Sequence, residues 1–341
     1  MNELGEIIHR EITQTGPMSV ARYMELCLAH PQLGYYMTRD PLGTRGDFTT
    51  APEISQMFGE MIGTWVASAW MALGRPVFRL VELGPGRGSL MADVIRVLRG
   101  ADAVFEAWLV ETSPVLRAEQ ERRLGDGVFW ARSLAEVPGG TTILIANEFF
   151  DALPVQQFLR SAQGWRERMV GLDGAALRWG LSAPLPERDA APVGAWRETS
   201  PAAEAVLAQI AERLGREPGA VLIADYGYVA KDRPEGPTLQ AVRRHAKADP
   251  LKAPGEADLT WLVDFNWLAL RLGRHVKLME QGAFLAGMGI GQRAEALARG
   301  SPDQADEIAN ALERLTAPDQ MGKLFKVATM VSGALMAGQG R

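Results

Sequence analysis

The sequence predicts an α/β fold in which a mostly parallel sheet is flanked by helices on both faces. Short apolar segments typical of strands alternate with helical periodicities over much of the chain. A glycine-rich loop stands between the first of these strands and the helix that follows it. The 341 residues carry ordinary apolar (47%) and charged (23%) fractions, so a sizeable packed core is expected.

Each predicted element follows from its own local pattern. Residues 1–30 carry two helical periodicities, a loop punctuated by glycine and proline follows over residues 30–53, and a third helical periodicity covers Pro52–Leu73. The predicted strands are Phe78–Leu83, Phe105–Glu111, Val128–Ala131, Thr142–Asn147, Gly219–Tyr226, His275–Gln281 and Leu324–Ser332. The helices predicted among them are Ser89–Leu98, Ser113–Leu124, Pro201–Leu214, Ala283–Met288 and Ala305–Leu315.

Two segments interrupt this alternation. Residues 156–198 have the pattern of a hairpin followed by a proline-rich loop, and residues 228–262 form a polar segment. Both follow the carboxyl end of a predicted strand, where open α/β sheets bind their ligands. We therefore expect an N-terminal helical segment and lid loop over residues 1–52, and a core over residues 53–341 whose two insertions form a substrate lobe.

Composition excludes several classes of protein. A net charge of −5 disfavours a general nucleic-acid-binding surface. No apolar segment reaches the roughly 20 residues of a membrane-spanning helix. The N-terminal sequence MNELGEIIHREI fits neither a secretory signal nor a transit peptide, so a cytoplasmic location is expected. Cys27 is the single cysteine and the four histidines show no ligand spacing, so no metal site is predicted.

The glycine loop follows the strand Phe78–Leu83. Gly84, Gly86 and Gly88 permit a tight turn and the close approach of a ligand to the backbone. A dinucleotide fingerprint requires a further glycine where this chain has Ser89, so that pattern fails. The leading acid Glu82 instead gives the form (D/E)xGxGxG, which is typical of enzymes that bind S-adenosylmethionine. An acid near the cationic amino end of that cofactor is favourable.

A second acid follows the next strand. Glu111 lies 23 residues after Gly88, where a ribose-binding carboxylate stands when a ligand straddles two adjacent strands. Glu111 would bind the ribose hydroxyls and Glu82 the methionine end. The third strand ends without an acid, so backbone groups or Ser133 would contact the adenine. The alternative, that the loop is only a turn and Glu111 a solvated strand end, stays open here.

The fourth strand leads into the sequence NEFFDALP, at the sheet edge that would face the methyl donor. Glu148 and Asp151 are three residues apart and could orient a guanidinium and accept its proton. The ring of Phe149 or Phe150 could favour a sulfonium cation. The alternative is that the two acids cap a following helix and the two phenylalanines belong to the core.

Six segments together resemble the mitochondrial complex I assembly-factor methyltransferase family, also called MidA-like. They are GDFTTAPEISQMFGE (46–60), VELGPGRGSL (81–90), ANEFFDALP (146–154), IADYGY (223–228), PGEADLTWLVDF (254–265) and QGAFLAGMGI (281–290). The resemblance implies a class I methyltransferase fold, Rossmann-like, with an antiparallel strand near the C-terminus. It also implies S-adenosylmethionine as cofactor and symmetric dimethylation of an arginine on a core subunit of respiratory complex I.

The resemblance assigns roles to individual positions of this chain. An N-terminal lid over the cofactor would contain Asp47, Thr50, Pro52 and Glu53. The cofactor would contact Gly84, Gly86, Gly88 and Glu111, and its methyl group would face Asn147, Glu148, Phe149 and Asp151. Asp225 and Tyr226 would face the substrate cleft, although a plain strand-ending turn is an open alternative there. Asp258 and Asp264 are expected to cap or tie the second insertion.

Other functions are compatible with the same core. A methyltransferase acting on a small molecule or on another residue is one alternative. A non-catalytic assembly chaperone that binds its partner through the insertions is another. A dehydrogenase is disfavoured by Ser89, and a nucleic-acid methyltransferase by the acidic balance and the lack of an Asn/Asp-Pro-Pro-aromatic segment.

Overall fold

The computed structural model describes residues 2–38, 50–187, 189–273 and 275–333. Its helices are α1 (Glu3–Thr15), α2 (Val20–Ala29), α3 (Tyr35–Thr38), α4 (Ala51–Ile54), α5 (Gln56–Ala72), α6 (Ser89–Gly100), α7 (Pro114–Leu124), α8 (Pro201–Arg216), α9 (Phe265–Leu272), α10 (Gln281–Gly287), α11 (Ile290–Gly300), α12 (Ala305–Thr316) and α13 (Met321–Leu324). Its strands are β1 (Met18–Ser19), β2 (Phe78–Leu83), β3 (Phe105–Val110), β4 (Val128–Ala131), β5 (Thr142–Asn147), β6 (Gln156–Ser161), β7 (Gly164–Asp173), β8 (Ala176–Leu181), β9 (Trp196–Thr199), β10 (Gly219–Tyr228), β11 (Gln240–Arg243), β12 (Ala246–Ala248), β13 (Asp258–Thr260), β14 (Val263–Asp264), β15 (Lys277–Glu280) and β16 (Phe325–Ser332). Asp47 of the expected lid lies outside the described residues.

The chain divides into two compact units. The first consists of Met1–Phe48, Asp151–Ala205 and Asp232–Leu262, and the second of Thr49–Phe150, Val206–Lys231 and Val263–Arg341. The N-terminal segment and both insertions therefore belong to one unit, whereas the sequence predicted an N-terminal lid apart from a core whose two insertions form a substrate lobe.

The second unit is built on an eight-stranded sheet with the strand order β15-β16-β10-β5-β2-β3-β4, and β14 also pairs with β10. The pairs β10–β5, β5–β2, β2–β3 and β3–β4 are parallel, while β16 is antiparallel to both of its neighbours. The predicted α/β class, with an antiparallel strand near the C-terminus, is confirmed. Because parallel strands end at the same edge, the loops after β2, β3, β5 and β10 share that edge.

The core of the second unit lies between this sheet and helices α5 and α6. Phe58 and Val94 from the helices and Leu80 and Ile143 from the strands are completely buried. A β carbon at Gly63 would lie only 2.8 Å from the Cβ of Val97, so the glycine allows α5 and α6 to approach closely. Burial of each such large apolar side chain contributes about 1.5–3 kcal/mol.

An ion-pair cluster links three helices of the second unit. The buried carboxylate of Glu60 on α5 accepts hydrogen bonds from the Nε and Nη2 of Arg293 on α11, at 2.7 and 2.8 Å. It also accepts one from the Nη1 of Arg96 on α6 at 2.8 Å. Helix α11 was not predicted, because its apolar face is formed largely by alanine and glycine and is weakly marked in the sequence.

The first unit contains two small sheets and its own core. Strands β1, β7, β6 and β9 form one sheet, with β8 also paired to β7, and β12, β11 and β13 form the other. Antiparallel β6 and β7 are the hairpin predicted for residues 156–198. Helices α1 and α2 bury Ile8 and Met24 with Val170 from β7 and Trp261 from the second insertion. These shared apolar contacts explain why distant segments form one unit.

Polar side chains cap two of the helices and tie the second insertion. Ser113 caps α7, with Pro114 at its first position, and Asp264 caps α9 by accepting from the amides of Asn266 and Trp267. Asp258 is buried in the first unit, where it accepts the hydroxyl hydrogen of Tyr36 at 2.7 Å. In the part of the chain that the structure describes, no helix is both long and apolar enough to span a membrane.

Candidate active site

The loop between β2 and α6 adopts backbone conformations that favour glycine at three positions. The φ angles of Gly84, Gly86 and Gly88 are 61°, 54° and 78°, in the left-handed region. A β carbon at Gly84 would also lie 2.8 Å from Cδ2 of Phe149. The glycine loop therefore contacts the turn that follows β5, and any side chain at Gly84 would disturb that contact.

Glu82 is a buried acid without a hydrogen-bond donor for one of its oxygens. The residue is 2% exposed, and its Oε2 has no hydrogen-bond partner among the described residues. Burial, together with the charge of Glu111, raises the pKa of Glu82 to about 8. A buried carboxyl of this kind favours a cationic donor, which would both satisfy the oxygen and stabilise the ionised form.

Glu111 is held in a fixed orientation immediately after β3. Its Oε1 accepts the amide hydrogens of Thr112 and Ser113 at 2.8 and 2.7 Å, and its Oε2 accepts from the Nε2 of Gln120 at 3.2 Å. Burial raises the pKa of Glu111, and these hydrogen bonds oppose that effect. A carboxylate fixed in this way is suited to bind a pair of hydroxyl groups.

Gln120 is a site residue that the sequence did not reveal. This fully buried residue of α7 donates from Nε2 to the carbonyl of Gly86 at 2.7 Å and to Glu111, and accepts from the indole of Trp130 at 2.9 Å. It therefore ties the glycine loop to the acid of the next strand. The available signal was a glutamine between Leu116 and Leu124, at helical spacing on an otherwise apolar face.

Glu53 reaches the glycine loop from α4. Its carboxylate accepts the hydroxyl hydrogen of Ser89, and the Nη1 of Arg87 lies 3.4 Å from its Oε2. Thr50 is the N-cap residue of α4, and Pro52 occupies the first turn. The described part of the expected lid therefore lies against the loop that was predicted to bind the cofactor.

The turn after β5 is strained and contains a second unpaired buried acceptor. Glu148 has a φ of 50°, an uncommon value for a residue other than glycine. Its Oε1 accepts from the amide of Ala51 at 2.9 Å, and the Nδ2 of Asn147 lies 3.3 Å from it. The Oδ1 of Asn147 is buried and has no partner among the described residues.

The alternative that Glu148 and Asp151 cap a following helix is wrong. The chain continues from this turn into strand β6, and Glu148 instead contacts the first residue of α4. The core interpretation holds for Phe150, which is completely buried, whereas Phe149 is half-buried beside Gly84.

Asp225 holds the same turn from the neighbouring strand. The residue is completely buried, and its Oδ2 accepts the amide hydrogens of Phe149 and Phe150 at 3.2 and 2.8 Å. Its Oδ1 accepts from the amide of Tyr226 at 2.8 Å. Tyr226 is half-buried with its ring 5.6 Å from that of Phe325, and burial raises the pKa of Tyr226. These contacts identify Asp225 as a support of the turn.

Two further predicted site residues, Asp151 and Ser133, make hydrogen bonds to residues other than those described above. Asp151 belongs to the first unit, where it is buried and its carbonyl accepts from the amide of Trp261 at 3.1 Å. Ser133 is half-buried two residues after the end of β4, and its carbonyl accepts from the amide of Glu136 at 3.1 Å.

The residues at this sheet edge fit S-adenosylmethionine. Glu82 and Asn147 each present a buried oxygen that receives no hydrogen bond from the described part of the chain, and the amino group of the cofactor is a donor with three hydrogens. Glu111 presents a fixed carboxylate one strand away. The glycine loop lies between β2 and α6 and has no side chain at three of its positions, which favours the close approach of a ligand to the backbone.

Comparisons with known proteins agree with this geometry. A family model described as S-adenosyl-L-methionine-dependent methyltransferase matches residues 61–282. The chain is 37% identical to the Drosophila melanogaster "Protein arginine methyltransferase NDUFAF7 homolog, mitochondrial", with 98% of this chain and 86% of that relative covered. It is also 37% identical to the Homo sapiens "Protein arginine methyltransferase NDUFAF7, mitochondrial", over 92% of this chain and 80% of that protein.

A solved structure extends the similarity to the fold. A Burkholderia thailandensis protein bound to S-adenosyl-homocysteine is 29% identical, with a TM-score of 0.86 over 97% of this chain and 92% of that chain. The curated relatives carry the word mitochondrial in their names, so the cytoplasmic location expected from the sequence stays a prediction.

Proposed function

The chain belongs to the family of S-adenosyl-L-methionine-dependent methyltransferases, and from this premise we propose that it methylates an arginine of a protein. The cofactor is S-adenosylmethionine, the methylated form of the S-adenosyl-homocysteine bound by the similar Burkholderia thailandensis structure. The identity of the methyl acceptor is what we propose here. It is supported by the names of the curated relatives and by the acids beside the turn after β5.

Residues of the second unit would hold the cofactor. Glu82, with Asn147, would bind the amino end, and Glu111 would bind the ribose hydroxyls. The adenine would lie near Ser133. Gly84, Gly86 and Gly88 would line the cofactor, with Phe149 against the loop and Glu53 supporting it from α4. The unpaired oxygen of Glu82 is the observation that carries this assignment.

The bound cofactor supplies an electrophilic methyl group on a positively charged sulfur. An arginine side chain is protonated near neutral pH and is therefore a poor nucleophile. The Glu148 carboxylate would orient the guanidinium and localise its charge away from the attacking nitrogen. It would also accept the proton that leaves that nitrogen as the methyl group is transferred.

The other predicted catalytic residues take different roles in this proposal. Asp151 is proposed as the second acid because of its position three residues after Glu148. Asp225 is proposed as a positioning residue, since its oxygens bind backbone amides of the turn. Tyr226, next to Asp225 at the end of β10, is proposed to contact the substrate.

The acceptor can be identified by mass spectrometry. The motif resemblance makes a core subunit of respiratory complex I the proposed partner. Complex I would be purified from a host that lacks its own copy of this chain, complemented by wild type, by Glu111→Ala or by an empty vector. We expect a dimethylated arginine only with the wild type.

The same samples distinguish the alternatives. Identical arginine modification in all three hosts would contradict the proposal. Normal complex I assembly with Glu111→Ala, without any methylated arginine, would instead support a non-catalytic assembly role.

A further inference from the structure

Lys326 is a buried lysine in the sheet that carries the predicted site. It lies on β16 and is only 4% exposed. Its ammonium group donates to the carbonyl of Lys323 at the end of α13. Removing an ammonium from water is costly unless nearby groups compensate for it. The neighbours of Lys326 therefore determine whether its charge has a role.

Two carboxylates oppose Lys326 across the sheet. In the antiparallel ladders, Lys326 is the direct partner of Asp225 on β10 and of Glu280 on β15. Directly opposed residues project to the same face of a sheet, with Cβ atoms about 4.5–5.5 Å apart. The side chain of Lys326 thus starts from one cross-strand row with an acid on each side.

The other elements against β16 contribute few charges. Helices α9, α10 and α13 contact this strand. Helix α9 carries Arg271, α13 carries Lys323, and α10 has no charged residue. Tyr226 follows Asp225 on β10 and is the ladder partner of Phe325, which precedes Lys326 on β16. Asp225 and Glu280 are therefore the acids placed opposite Lys326.

Asp225 connects this row to the strained turn after β5. Its Oδ2 accepts the amide hydrogens of Phe149 and Phe150, directly after the left-handed Glu148. The ring of Phe149 in turn lies against Gly84 of the glycine loop. A change in the charge of Asp225 would therefore alter the turn and the glycine loop, where the cofactor is proposed to bind.

We propose that Lys326 is a positioning residue for methyl transfer: its ammonium keeps the buried Asp225 carboxylate ionised, and Asp225 fixes the turn that places Glu148 and Phe149. This inference rests on the proposed role of that turn beside the cofactor. Without Lys326, the buried Asp225 would take up a proton at pH values where it is now charged, because burial disfavours the ionised form. A protonated carboxyl is a weaker acceptor for the two amides, so the turn would loosen.

Cofactor affinity at different pH values tests this dependence of the turn on Lys326 and Asp225. S-adenosylhomocysteine binding to the full chain would be measured by calorimetry from about pH 5.5 to about pH 8.5, as the ratio of each variant to wild type. For Lys326→Met we expect a ratio near one at the alkaline end and about tenfold weaker binding at the acidic end, because one unit of pH changes protonation tenfold. The matched control is Lys323→Met, an exposed lysine three residues earlier, which should match wild type throughout.

Two further variants distinguish the possible failures. Asp225→Asn should bind more weakly at every pH, and the Lys326→Met/Asp225→Asn double variant should match Asp225→Asn. If Lys326→Met alone does not fold, the comparison of the double variant with Asp225→Asn still tests the proposal. The proposal would be overturned if the affinity ratio of Lys326→Met did not change with pH. It would also be overturned if the double variant bound S-adenosylhomocysteine much more weakly than Asp225→Asn. Wild-type affinity in Asp225→Asn would instead contradict the proposed role of the turn.

Discussion

Glu82 and Glu111 end neighbouring parallel strands, and the charge of Glu111 adds to burial in raising the pKa of Glu82 to about 8. Glu82 is therefore largely protonated at neutral pH while the site lacks a cation. The Oε2 atom that has no partner among the described residues belongs to this same carboxyl. The pair thus forms a site that gains most from a ligand with a positive charge near Glu82 and hydroxyl groups near Glu111.

Cofactor binding should release a proton from Glu82. At about pH 6.5, below its pKa, the free protein carries a neutral Glu82, and the cationic amino group of S-adenosylmethionine favours the ionised form. Calorimetry in buffers with different ionisation enthalpies should show nearly one proton released by the wild type. Glu82→Gln should release almost none, and equal proton counts in the two proteins would contradict this coupling.

The stability of the ligand-free protein should depend on the same group. The pKa of Glu82 rises from its ordinary value of 4.5 to about 8 on folding, so the folded state binds more protons between these values. The contribution of Glu82 to the free energy of unfolding should therefore fall as pH rises from about 4.5 to about 8, by about 1.4 kcal/mol per unit at most. The contribution of Glu82 to stability should therefore be favourable or neutral only near the lower end of this pH range.

Urea unfolding of wild type and Glu82→Gln at pH 5 and pH 8.5 measures this contribution. We expect similar free energies of unfolding at the lower pH, and a more stable Glu82→Gln variant, by about 2–4 kcal/mol, at the higher pH. A wild type that is more stable than the variant at pH 8.5 would show that Glu82 has a donor in the folded protein.

Gly84→Ala should weaken cofactor binding, in addition to the stability that it loses through backbone strain. The new β carbon would lie 2.8 Å from the Phe149 ring, and φ is 61°. Gly174→Ala is the matched control, since its φ is 59° and no atom of the described residues lies within 4 Å of the added carbon. Both variants should lose about 1 kcal/mol of stability, but only Gly84→Ala should bind S-adenosylhomocysteine much more weakly. Equal affinities would show that the loop and the turn do not act together.

Glu60 should stabilise the second unit at neutral pH. Burial alone would raise its pKa, but hydrogen bonds from Arg293 and Arg96 outweigh it, so the pKa of Glu60 is lowered. The stabilisation is therefore present above the ordinary value and is lost as pH falls through the lowered pKa. Glu60→Ala should cost about 1.5–3 kcal/mol at pH 7, because three charge-assisted hydrogen bonds are lost while the partly exposed arginines can be solvated.

The exposed pair Glu295–Arg299 on α11 provides the control for this prediction. Both side chains are 73% exposed, so Glu295→Ala should change the free energy of unfolding by less than about 0.5 kcal/mol. Chemical denaturation of both variants at pH 7 makes the comparison. Equal losses for Glu60→Ala and Glu295→Ala would contradict the structural role of the cluster.

Local patterns in the sequence predict the strands that carry much of the proposed cofactor site. The strands ending at Leu83, Val110 and Asn147 end within one residue of their predicted ends, because apolar runs bounded by glycine or polar residues mark buried strands well. The left-handed φ of Glu148 could not be predicted, since tertiary contacts hold it. Those contacts are Asp225 from β10 and the amide of Ala51.

Long-range contacts also explain the other differences. Gln120 donates to the carbonyl of Gly86, 34 residues earlier in the chain, and so joins the glycine loop to Glu111; a glutamine in a helix gives little local signal of this. The first unit combines three separate segments because α1 and α2 bury apolar side chains from both insertions. No periodicity within a single segment reveals which distant surface it covers.

The most direct test of the proposed site is a crystal structure with S-adenosylhomocysteine bound. We expect the ribose hydroxyls on the Glu111 carboxylate, the amino group within hydrogen-bond distance of Glu82, and the sulfur facing the turn formed by Asn147, Glu148 and Phe149. A ribose away from Glu111, or a sulfur turned away from this turn, would contradict the account.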